Sequence, residues 1–173
     1  MKNILAFGIG IFFFASCTQV RLDKKEAAVV IRTSHEYPKA LEYDVNTADP
    51  ASARRLLDAG LEEEGFVTID KTQKLKDIGK PIVHFTEKAK PYLIRIDPKY
   101  NNVQVVKLAD TDLGEITGIQ VLENEKRATV EYTIIHSNVT PFSKLFQKEL
   151  SIPQTKHANL LLYDSGWKLD KAW

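Results

Sequence analysis

The chain's one cysteine, Cys17, stands directly behind Ala15 and Ser16 and an unbroken apolar run from Ile4 to Phe14. A thiol so placed is open to covalent modification. With no second cysteine there is neither an intrachain disulfide nor a cysteine-based metal site. The four histidines, His35, His84, His136 and His157, are scattered, and no HExxH or comparable zinc spacing occurs. His136 ends an alternating apolar segment, where a structural imidazole is the expected role. No GxSxG elbow is present for a serine nucleophile, and no glycine-rich loop for a phosphate. Glu62, Glu63 and Glu64 are adjacent carboxylates, but consecutive helical positions point in different directions. A solvated face is expected there rather than an acid/base pair, and no cofactor is expected.

Charge is more informative than nucleophiles. Residues 42–64 hold Glu42, Asp44, Asp49, Asp58, Glu62, Glu63 and Glu64 against Arg54 and Arg55, a net of −5. Residues 71–99 hold Lys71, Lys74, Lys76, Lys80, Lys88, Lys90, Arg95 and Lys99 against Asp77, Glu87 and Asp97, a net of +5. Two readings of Lys71, Lys74, Lys76 and Lys80 are open. They are edge lysines that keep a hairpin soluble, or they form a basic prong for an anionic envelope component, whether lipid or cell-wall polymer, or for an acidic protein. Tyr92, Phe142, Phe146, Trp167 and Trp173 are further candidates for a binding surface, although aromatic residues at strand and helix spacing are more often core.

The elements that must carry these residues begin at the amino terminus. Lys2 and the starting amine precede the apolar run, whose eleven residues are too few to cross a bilayer as a helix and match the apolar core of a signal peptide. The order apolar, Ala15, Ser16, Cys17 resembles the lipobox of bacterial lipoproteins, with Phe14 where an aliphatic residue is usual. That resemblance implies removal of residues 1–16, lipid on Cys17, and location in the bacterial cell envelope. Thr18 in place of an aspartate after the cysteine implies the outer membrane. The alternative is an ordinary signal peptide cut nearby, with Cys17 unmodified.

Without residues 1–16, 157 of the 173 residues remain, enough for a sizeable core. Residues 17–25 read as the lipidated cysteine and a tether. Residues 26–33 fit a helix or a strand, and Leu41, Tyr43 and Val45 alternate as in a half-buried strand. Asp49-Pro50 is a helix start. Ala53, Leu56, Leu57 and Leu61 form its apolar face, and Gly65 is placed to stop it. Strands at 66–69 and 82–85 then flank the lysine segment. From Asp49 to Ile94 this order resembles a winged-helix module, carried by LLDAGLEEEGFV and FTEKAKPYL. Nucleic-acid binding is nevertheless disfavoured. The helix ends in acidic residues that repel phosphate, and the chain without its leader is neutral.

Residues 100–173 read as strands at 103–106, 113–122 (with a bulge at Gly118), 127–136 and 158–163, a short helix after Thr140-Pro141, and a last hairpin through Asp164-Ser165-Gly166. The expected architecture is therefore α+β. A small winged-helix-like part at 26–99 precedes a curved antiparallel sheet with one packed helix at 100–173. Three roles follow from this reading. The preferred one is a membrane-anchored, non-enzymatic accessory or binding protein. The others are a small exported enzyme acting on cell-wall or glycan material, and a structural subunit of an envelope complex.

Overall fold

The computed structural model describes residues 21–122 and 126–171. Cys17, the apolar run before it, most of the turn at 123–126 and Trp173 lie outside the described residues. The fold is α+β, with few helices and a strongly curled antiparallel sheet.

The N-terminal helix, α1, spans Lys24–His35. The Asp23 carboxylate caps it by accepting from the Glu26 N–H at 2.8 Å, and Ala27 and Ile31 form its buried stripe. Four apart on one face, they explain why Val29, Val30 and Ile31 do not become a strand. Part of the expected tether is built into the fold: Leu22 is buried and joins the core beneath α1.

The sheet has six strands, with β1 (Lys39–Asn46), β5 (Val103–Leu122), β6 (Arg127–Ser137), β7 (Gln154–Tyr163) and β8 (Gly166–Leu169) side by side in that order. β4 (Leu93–Ile96) pairs only with the start of β5. The two strands expected at 103–106 and 113–122 are one strand of 20 residues. β1 and β4 supply hydrogen-bond partners to its first part, and β6 to its second. The register with β6 shifts between Leu113 and Ile116 and again between Ile116 and Gly118, so the bulge at Gly118 is present. Bulges let so long a strand bend enough to curl the sheet. β1 and β4 thus tie residues 39–96 into the same sheet as residues 103–169.

Two cores result. One lies between α1 and the sheet, and holds Ile31, Leu113, Val130, Tyr132, Leu160 and Trp167. The other gathers α2 (Pro50–Asp58), the two-stranded ladder β2 (Val67–Ile69) with β3 (Val83–Phe85), and a 3-10 turn at Pro141–Leu145 against Val106 and Leu108 of β5. Phe142 is its centre, fully buried, with the Phe66, Phe85 and Tyr92 rings 5.8, 6.0 and 6.1 Å away. Helix α2, strand β2, the intervening loop and strand β3 follow one another, and α2 packs its Ala53 and Leu56 into a core built on the large sheet.

Two expectations need correction. Helix α2 ends at Asp58 rather than running to Gly65. Gly60 takes φ +72, its N–H bonds the Leu57 carbonyl at 2.8 Å, and the Leu61 N–H bonds the Leu56 carbonyl at 3.1 Å. This is a glycine-dependent helix stop, closed by the buried pair Leu56 and Leu61. The same bonding recurs at Gly65 and Phe66, so residues 60–65 are a second turn and not helix. The second correction concerns the strand at 158–163, whose run of leucines reads in the sequence as buried throughout. Leu160 is fully buried between β6 and β8, whereas Leu161 and Leu162 are half-buried, where the pairing with β6 runs out at Arg127.

Candidate functional site

The lysine segment connects β2 to β3 as a loop over residues 70–82, closed at its base by the Asp70 N–H bonding the Ile82 carbonyl at 2.8 Å. Polar residues and Gly79 keep it out of the ladder, and short local bonds give it a defined shape. Leu75–Asp77 is a 3-10 turn. Gln73 Nε2 donates to the carbonyls of Asp77 (2.6 Å) and Lys80 (3.2 Å). Gly79 takes φ +89, a left-handed conformation that costs glycine little. Its carbonyl accepts from Asn102 Nδ2 at 3.3 Å, which ties the loop to the start of β5.

The four candidate lysines divide into two pairs. Lys71 lies 3.5 Å from Glu62, and Lys80 lies 2.7 Å from Asp77. Glu62 also accepts from the Ile69 N–H at 3.0 Å, so the turn after α2 is bonded to β2 beside the loop. The acidic and basic segments are therefore not held wholly apart, since Glu42 also pairs with Arg95 at 2.7 Å. Lys74 and Lys76 are exposed and make no ion pair among the described residues. They line an open groove of about 360 Å³ along the loop, together with Thr72, Gln73, Asp77 and Lys80. A neighbouring groove of about 440 Å³ runs between α2 and the loop, with Ala53, Leu57 and Ile82 as its apolar floor and Arg54 and Lys71 at its margins.

The adjacent carboxylates act separately. Glu62 holds β2 and Lys71, while Glu64 pairs with Lys144 and lends its carbonyl to Lys88 Nζ at 2.6 Å. The histidines are dispersed, with His84 3.0 Å from Asp70 and His157 3.3 Å from Glu131 on exposed faces. Among the described residues no three His, Cys, Asp or Glu side chains stand close enough to hold a metal ion.

The sequence concealed one titratable cluster, where the end of α1 meets β6. The His35 ring is 5.5 Å from the Tyr37 ring and 6.4 Å from the Tyr132 ring, and the two tyrosine hydroxyls perturb one another's ionisation. Burial, followed by the neighbouring Tyr37, pushes the Tyr132 hydroxyl up to about 12. Burial and then Lys39 hold His35 below its ordinary value. His136 is also lowered by burial; Thr111 Oγ1 is 3.0 Å from its Nδ1, and its enclosed Nε2 has no hydrogen-bond partner among the described residues. His35 and Tyr132 join the end of the helix to the sheet, His136 joins β6 to β5, and none of them lines the grooves described above.

Of the expected aromatic surface, Phe142 and Trp167 are core, and Tyr92 and Phe146 pack partly against it. Leu75 and Ile78 at the loop tip were missed. Their signal was available, since they are the two large apolar residues in KTQKLKDIGK and stand three apart. No protein-family model matches the chain, and no curated protein and no solved structure matches it either.

Proposed function

We propose that this chain is an exported bacterial lipoprotein, held on a membrane of the cell envelope by acyl chains on Cys17. It serves there as a binding or accessory protein whose contact surface is the lysine loop. The observation that carries the reading is that Lys74 and Lys76 stand on a locally bonded loop with no ion-pair partner among the described residues. Edge lysines that only kept a strand soluble would not need the internal bonds from Gln73 or the tie to Asn102. The apolar run followed by Ala15, Ser16 and Cys17 supports the anchor, and Thr18 favours the outer membrane. Two or three acyl chains, at about 0.8 kcal/mol per buried CH₂, hold such a chain on a bilayer lastingly.

The test is co-sedimentation with isolated envelope of a chain beginning at Thr18. It retains the described core residues, the first of which is Leu22. Replacing Lys71, Lys74, Lys76 and Lys80 with Gln should weaken binding at low salt. The difference should shrink as salt rises, because screening removes the attraction from the parent as well. Equal binding of both forms at low salt would remove the loop as the contact surface.

A further inference from the structure

The tip of the lysine loop carries two apolar side chains that the domain leaves uncovered. Leu75 is 86% exposed and Ile78 68%, the highest values among the exposed large apolar residues described. Neither belongs to or packs on a core. Leu75 opens the 3-10 turn and Ile78, three positions on, caps it with its N–H directed to the Leu75 carbonyl, so the two side chains belong to one short bonded segment. Lys74 and Lys76 flank Leu75 in the chain and have no ion-pair partner among the described residues, whereas Lys80 is held by Asp77. The bonds from Gln73 and Asn102 fix the loop in this form, so part of the ordering cost of a contact is met before it forms.

These features select among anionic partners. A protein partner would need a cavity shaped to receive two projecting aliphatic side chains. A bilayer interface takes them without one, and its phosphates supply the complementary charge at the depth a lysine stem reaches. We propose that residues 71–80 are a membrane-contact tip, with Leu75 and Ile78 entering the apolar margin of an anionic bilayer and Lys74 and Lys76 lying among the lipid phosphates. This rests on the membrane-anchored reading above. Anchorage makes insertion intramolecular, so a weak contact suffices to set how the domain stands on the surface.

The full chain carrying Leu75→Trp is to be mixed with vesicles whose acyl chains carry bromine, made of phosphatidylcholine alone or mixed with phosphatidylglycerol. Leu75 is so exposed that the larger side chain leaves the fold intact. The same chain with Ile152→Trp, at an exposed apolar position outside the loop, reports the effect of anchorage alone. The indole introduced at position 75 should be blue-shifted and quenched in anionic vesicles, much less so in neutral ones, and the one at position 152 in neither. Adding Lys74→Gln and Lys76→Gln should shift the insertion equilibrium by about tenfold or more. Quenching at 75 that does not exceed that at 152, or that is the same in neutral and anionic vesicles, overturns the inference. If the first result comes while the four lysines are still required for binding isolated envelope, the loop contacts another anionic component and the broader reading stands. Loss of both effects removes the two together.

Discussion

Gly114 on β5 lies so close to Thr133 on β6 that a Cβ at position 114 would overlap the threonine hydroxyl, with the Ile135 Cγ2 and the Thr133 carbonyl oxygen only 3.2 and 3.3 Å away. The hydroxyl is itself engaged, accepting from the Glu115 N–H at 2.9 Å. The approach falls where the β5–β6 register shifts, between Leu113 and Ile116. The curl of the sheet therefore depends on a missing side chain at this point.

Gly114→Ala should destabilise the fold by roughly 1–3 kcal/mol, as an overpacked site does, and chemical denaturation measures it. Adding Thr133→Ala relieves the overlap but leaves the Glu115 N–H without its acceptor. The double variant should therefore lose less than the two single losses combined. A full sum would mean that the two positions do not interact.

Leu160 and Leu162 both fall on the core side of β7 and both pair with β8, but only Leu160 has β6 on its other side, opposite Ala128. Leu160→Ala should cost about 2–5 kcal/mol and Leu162→Ala distinctly less, because Leu162 is already partly exposed to water. Equal losses in denaturant titrations would place Leu162 in the core after all.

His35 and His136 are both held below the ordinary histidine value of 6.5, His35 by burial and then Lys39, and His136 by burial. The unfolded chain therefore takes up protons on these groups before the folded one does. Their contribution to stability is complete above pH 6.5 and is lost as pH falls from there through the lowered folded values. Thermal melts between pH 7.5 and 5 should show this decline, and a variant with His35→Gln and His136→Gln should show less of it. An unchanged slope would assign the decline to other groups.

Cys17→Ala should leave an uncleaved precursor or release the protein from the membrane fraction, as immunoblotting of fractionated cells would show. Normal maturation and fractionation of this variant would dismiss the lipid anchor. The position lies outside the described residues, so this expectation rests on the sequence alone.

Features set by neighbours in the chain were legible without a structure. Asp49-Pro50 starts α2 because the aspartate accepts from the Ala51 and Ser52 N–H groups within three residues of itself. Ala128, Val130, Tyr132 and Ile134 are buried as their alternation requires, since a strand's pleat sends every second side chain to one face. The lysines of the loop were visible for a similar reason: a polar segment flanked by apolar strands has nowhere to go but solvent.

Choices between local options were settled by residues distant in sequence. Gly60 and Gly65 can each end a helix, and Gly60 does so because Leu61 must turn inward to complete the core around Phe142. Residues 103–122 became one strand because β1, β4 and β6 each satisfy a different stretch of its backbone. Four lysines of one type were equivalent in the sequence, yet Glu62 and Asp77 engage Lys71 and Lys80 and leave Lys74 and Lys76 beside Leu75. Sequence determined which residues are charged, apolar or able to turn the chain, since those are properties of single side chains and their nearest neighbours. Tertiary structure decided which charges are cancelled and which apolar groups stay uncovered, because electrostatic pairing and burial act across space between residues far apart in the chain.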